Sequence, residues 1–137
     1  MIIDEELKDW IRHGEGFDNM PYIDTVGKLT IGYGRNLQDN GISKDEAEYL
    51  LNNDVIRAIR DIEDYPWYQE APESTKRALV NMSFNLGLTR LLTFKKMIAA
   101  LISHDYTKAA LEALDSKWAK QIGDRAKDVA LMIRTAK

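Results

Sequence analysis

Two hydrophobic periods run through this chain, and the changes from one to the other predict its elements. Apolar residues at Ile3, Leu7, Trp10 and Ile11 keep to one helical face, which predicts a helix over about residues 3–13. After Pro21 the spacing shortens: Leu29, Ile31 and Tyr33 alternate with Thr30, Gly32 and Gly34, the pattern of a strand with one bare face. Tyr22 to Asp24 is a shorter extended run, and Gly27 lies midway between the two, so a hairpin turning at residues 25–28 is expected. Pairing centred on Gly27 sets Asp24 opposite Thr30, and opposed residues share a face. Residues 36–41 read as a turn-rich loop.

Helical spacing then takes over for the rest of the chain. Ser43 to Glu46 reads as a capping box, in which the serine hydroxyl takes a free backbone N–H and the glutamate reaches back to the serine N–H. Ala47, Leu50, Leu51, Val55, Ala58, Ile59 and Ile62 follow at intervals of three and four, a helix of about twenty residues spanning ~30 Å. Pro66 and Pro72 mark a break, and a second run from Glu73 to Leu86 carries Ala78, Leu79 and Met82 at core spacing and ends at Gly87. Thr93, Asp105 and Asp124 are expected to cap three further helices. The sum is a mostly helical α+β protein with a small antiparallel hairpin sheet.

Composition limits the chemistry. At 137 residues the chain suits one folding unit with a real core. It has no cysteine, which excludes disulfides and a thiol nucleophile. The start MIIDEELKDW is acidic and does not read as a signal peptide, and no apolar run approaches the ~18 residues of a membrane span. The protein is therefore expected to stay in the compartment that made it until something else releases it. Asp24 to Lys28 has the look of a calcium-loop start but lacks the alternating acidic ligands and closing glutamate. Gly32-Tyr33-Gly34 lacks the third glycine of a dinucleotide site, and His13 and His104 are isolated. No metal and no cofactor are called for.

What remains is a pair of acids and a hydroxyl: Glu15, Asp24 and Thr30. Glu15 sits where the first helix should end, between Gly14 and Gly16, which let the chain leave the helix and leave room for a large group to approach. Two acids across an open cleft are what glycoside hydrolysis requires, one protonated to serve the leaving oxygen and one ionised to activate water or stabilise positive charge. Glu15, beside Trp10 and Ile11, suits the first part, and Asp24, in a polar hairpin, the second. Spacing alone does not distinguish this pair from solvated surface charge, since 30% of the chain is charged.

Resemblance does. Glu15-Gly16-Phe17, followed by Y-x-D-T-x-G-x-x-T-I-G-Y-G from Tyr22 to Gly34, resembles the active-site segment of phage lysozymes, the endolysins of glycoside hydrolase family 24. The likeness continues through Ile42–Val55, Arg77–Gly87 and Ser116–Thr135, nearly the whole chain. It implies a lysozyme-like single domain over 1–137, with an N-terminal lobe of about 14–60 and a C-terminal helical lobe of about 65–137 that includes the first helix. The long helix would join the two lobes. Glu15, Asp24 and Thr30 fall on the family's acid, second carboxylate and water-holding threonine. Asn85 and Lys117 become substrate contacts, Arg125 a support for the catalytic glutamate, and Arg35 a partner for Asp54.

The implied activity is that of a muramidase acting on bacterial peptidoglycan as a monomer, with no nucleic acid, no stable membrane association and release to the wall through a holin. A lytic transglycosylase, which needs one acid, and a catalytically silent wall-binding module are the alternatives. Departures from the T-even pattern are the short connection of residues 36–41 and Arg35, where that member has histidine. Charge is also divided. Residues 1–75 carry 17 acidic and 7 basic side chains, and residues 76–137 carry 5 acidic and 12 basic. Opposite-signed lobes attract each other, and a positive face also holds an anionic polymer such as cell wall. The net charge of −3 and the lack of a dense basic run argue against nucleic acid.

Overall fold

The structure, a computed structural model, describes residues 1–134; Thr135, the last residue of the C-terminal motif, lies outside them. It is a mostly helical α+β fold with one three-stranded antiparallel sheet. The chain divides into two compact units, residues 1–48 and 49–137. The sequence groups the first helix with the C-terminal lobe, whereas by compactness it falls in the first unit.

That helix, α1 (Glu5–Glu15), begins later than its apolar spacing suggests because Asp4 caps it, accepting from Leu7 N at 2.9 Å. Glu5 and Glu6 fill its first turn and Arg12 and His13 its last, each of a sign that suits the helix dipole. Gly16 ends it at φ 73°, donating to the Arg12 carbonyl. Glu15 is therefore the last helical residue.

Strands β1 (Asp18–Ile23), β2 (Leu29–Gly32) and β3 (Arg35–Asn36) pair in that order. Two expectations are corrected here. Tyr22, not Asp24, lies opposite Thr30, and Ile23 lies opposite Leu29. The turn is tighter because Asp24 N donates to the Lys28 carbonyl at 2.9 Å and Asp24 Oδ1 accepts from Lys28 N at 2.8 Å. The shift is by two residues along the pairing, so Asp24 and Thr30 keep the same face as diagonal neighbours. Secondly, the strand ends at Gly32, and Tyr33-Gly34 is a turn rather than its continuation. Ile31 pairs with Arg35 around it, and Gly32 and Gly34 have φ 70° and 80°, a region that glycine alone enters freely.

Asn36 caps the short helix α2 (Leu37–Asn40), accepting from Asp39 N, where a loop is expected. The capping box opens α3 (Lys44–Ile62) as predicted: Ser43 Oγ accepts from Glu46 N at 3.1 Å and Glu46 Oε1 from Ser43 N at 2.8 Å. Arg35 takes Glu46 in a two-pronged pair at 2.9 and 2.5 Å and also donates to the Gly41 carbonyl. Glu46 thus takes the place that the family likeness gave to Asp54. Glu46, on the first turn of α3, stands closer along the chain to the end of the sheet, and Asp54 lies instead 3.7 Å from Arg57 on its own helix.

The second unit holds the rest of α3, then α4 (Pro66–Gln69), α5 (Glu73–Leu86), α6 (Leu88–Leu91), α7 (Lys95–Ile102), α8 (Tyr106–Leu114), α9 (Lys117–Ile122) and α10 (Asp124–Arg134). Helix α10 packs on α5 and α8, and α8 on α7, around Ile62, Leu79, Met82, Leu91, Met97, Leu101 and Ile133. Two buried hydroxyls tie helices within it: Thr75 Oγ1 donates to the Ile133 carbonyl and Ser83 Oγ to the Ala58 carbonyl, both at 2.9 Å. Asp105 caps α8 as expected, but Thr93 does not cap α7, since its hydroxyl donates back to the Arg90 carbonyl. Among the described residues no helix is long and apolar enough to cross a membrane.

Candidate active site

The first unit carries all three residues singled out as catalytic. Glu15 is exposed at the end of α1. Its carboxyl lies against the bare Cα of Gly34, so close that a Cβ built there would meet Oε2 at 2.7 Å. The helix terminus and the β2–β3 turn thus meet at this acid.

Asp24 is half-buried and shaped by its turn. Oδ1 accepts from Val26 N at 2.9 Å and Lys28 N at 2.8 Å, while Oδ2 takes part in neither bond. Two backbone donors on one oxygen fix the orientation of the carboxyl within the turn. Thr30 is 3% exposed, and its hydroxyl donates to the Lys28 carbonyl at 2.9 Å. With its proton committed, the oxygen has only acceptor capacity left.

Lys28, to which sequence reasoning assigned no part, links these two residues. Its N–H holds Asp24, its carbonyl receives both Asp24 N and Thr30 Oγ1, and its ammonium pairs with Asp39 at 3.2 Å. The Lys28 hydrogen bond, with a second from Asn36, lowers the Asp39 pKa. A sequence signal existed, the position across the turn from Asp24, but reading it required the correct register.

Aromatic residues border the site. Phe17 and Tyr33, both exposed, stand 5.2 Å apart between ring centres, and the Arg12 guanidinium lies 5.9 Å from the centre of the Tyr33 ring. At the other end of the sheet the Arg35 hydrogen bonds, helped by the Ser43 backbone, pull the Glu46 carboxyl down to about 2. Glu46 in turn raises the Arg35 guanidinium.

The remaining candidates lie in the second unit. Asn85 Oδ1 accepts from Trp118 Nε1 at 2.7 Å, and Trp118, 3% exposed, meets Phe94 edge-on at 6.2 Å. Lys117, next in sequence, is exposed on a pocket of about 570 Å³ that Phe94, Lys95, Ser116 and Trp118 also line. Asn85 and Lys117 are thus drawn into one neighbourhood by the tryptophan between them. Arg125 Nη2 donates to Asn81 Oδ1 at 2.9 Å, and both border a second pocket, of about 520 Å³, with Val55, Tyr68 and Phe84.

Comparison with known proteins matches residues 12–137 to the model of the phage lysozyme family. The pre-baseplate central spike protein Gp5 of Enterobacteria phage T4 is 28% identical, in a match that covers 94% of this chain and 28% of that protein. Probable T4-type lysozyme 1 of Dictyostelium discoideum is also 28% identical, and there the match covers 94% of both chains. A SAR-endolysin of Bacteriophage PS119 is 36% identical over 53% of this chain and 46% of its own length.

Proposed function

Because the chain belongs to the phage lysozyme family, we propose that it is a muramidase that hydrolyses the β-1,4 bond between N-acetylmuramic acid and N-acetylglucosamine in peptidoglycan, with inversion at the sugar carbon. The observation that carries this reading is the contrast between its two acids. Glu15 presents an exposed carboxyl on a glycine, whereas Asp24 is fixed by two backbone N–H groups on one oxygen. The first leaves a carboxyl that a glycosidic oxygen can reach, and the second a carboxyl held in place.

In the proposed reaction the Glu15 carboxyl passes its proton to the leaving glycosidic oxygen as the bond to the sugar carbon breaks. Positive charge develops at that carbon, and a water on the opposite face attacks it. That water donates one hydrogen to Asp24, which takes the proton, and the other to Thr30 Oγ1, whose own proton is committed to the Lys28 carbonyl. Asn85 and Lys117 are proposed to contact the substrate. Arg125, on the same family likeness, would orient Glu15, and a separate pore would bring the enzyme to the wall.

Proton NMR of the first products from a soluble β-linked peptidoglycan oligomer tests the scheme. The expected first-formed reducing end is the α-anomer. A predominance of β-anomer before mutarotation overturns the water-first mechanism, an anhydro end marks a transglycosylase, and no cleavage marks a binding module. Glu15→Gln keeps the shape but cannot donate the proton, and its rate is expected to fall ~100- to 10,000-fold. Retention of more than about a tenth of the rate would remove Glu15 from the role of acid.

A further inference from the structure

Of the eight glycines, seven have nothing within 4 Å of the place a Cβ would occupy. Gly34 is the exception, and the three nearest atoms all belong to Glu15: Oε2 at 2.7 Å, Cδ at 3.0 Å and Cγ at 3.3 Å. Backbone conformation does not account for this difference, because Gly27 and Gly32, at φ 84° and 70°, are as far into the left-handed region as Gly34 at 80° and have open space around them. At Gly34 a second requirement is added to that of the turn.

We propose that Gly34 is a positioning residue for Glu15, its missing side chain being the seat that holds the carboxyl in its working place. This rests on the reading of Glu15 as the acid. Within its own unit that carboxyl has no hydrogen-bond or ion-pair partner among the described residues, so contact with Gly34 is what locates it there. An added methyl would push Oε2 back by roughly 0.7 Å to an ordinary contact of 3.4 Å. The displaced atoms are the far end of a flexible, exposed side chain. The clash is therefore relieved at small cost to the fold and at full cost to the geometry of proton transfer, where a shift near 1 Å loses about 100-fold in rate.

The experiment compares Gly34→Ala with Gly27→Ala, which carries equal backbone strain at φ 84° and no clash. Two quantities are read: the ¹³C resonance of the Glu15 carboxyl, and kcat and KM on a soluble peptidoglycan oligomer. Both variants should lose similar amounts of urea resistance. The Glu15 resonance should move in Gly34→Ala alone, and there kcat should fall about 100-fold with KM within about three-fold of wild type. Gly34→Asn tolerates positive φ and carries the same Cβ, so it takes the place of Gly34→Ala if that variant does not fold. An unmoved resonance with an unchanged kcat overturns the proposal, as does an equal shift in Gly27→Ala. If the wild type cleaves nothing, the functional reading falls, while the resonance still decides whether Gly34 seats the carboxyl.

Discussion

Thr30 shows how much a single hydroxyl can be asked to do. It lies in the sheet, 3% exposed, and its proton is spent on the Lys28 carbonyl in the loop that also fixes Asp24. Thr30→Val retains the shape and removes the bond, so stability should fall by ~1 kcal/mol. If the hydroxyl also holds the attacking water, lysis should drop by about 100-fold in the same variant. Urea melts together with turbidity assays separate the two effects, and a variant that lyses at the wild-type rate would leave Thr30 a structural part of the hairpin only. Residue by residue, the two acids and the threonine were legible as candidates through a motif whose glycines and polar positions are closely spaced. The parts played by Lys28 and Gly34 were not. Both act through backbone or through absent atoms, and those depend on the register across a turn rather than on residue type.

Among elements, the pairing of Arg35 with Glu46 ties the end of the sheet to the start of α3. Glu46 has a folded-state pKa lowered from an ordinary 4.5 to about 2. A carboxyl whose pKa is lowered by folding adds stability that is fully present above its unfolded value and disappears as pH falls through the folded one. The urea midpoints of wild type and Arg35→Ala should therefore differ by a constant amount above about pH 4.5 and converge as pH falls toward about 2. A gap that persists undiminished at pH 2 would mean that the pair does not act through the Glu46 charge. Helix α5 was legible to the residue, from Glu73 to Leu86, because its break and its closing glycine both appear in the sequence. The turn at Tyr33-Gly34 was hidden, since Leu29, Ile31 and Tyr33 alternate as a strand does. Helix α9, of six residues, is too short to show a period, although Ser116 caps it through Ala119 N.

On the scale of the whole molecule, the sheet edges bear on how the protein behaves in concentrated solution. Strand β1 is an edge strand, and it exposes Met20 and Ile23, the combination that invites a second chain to add itself as another strand. Its pairing with β2 is irregular between Asp18 and Tyr22, and Pro21 falls inside that interval. Proline offers no N–H to a newcomer, and the irregular stretch spoils the even ladder that a newcomer would extend. The opposite edge, β3, is two residues long and includes Arg35, whose guanidinium is engaged with Glu46. Neither edge offers an incoming strand an even ladder to extend, although apolar side chains are exposed on β1.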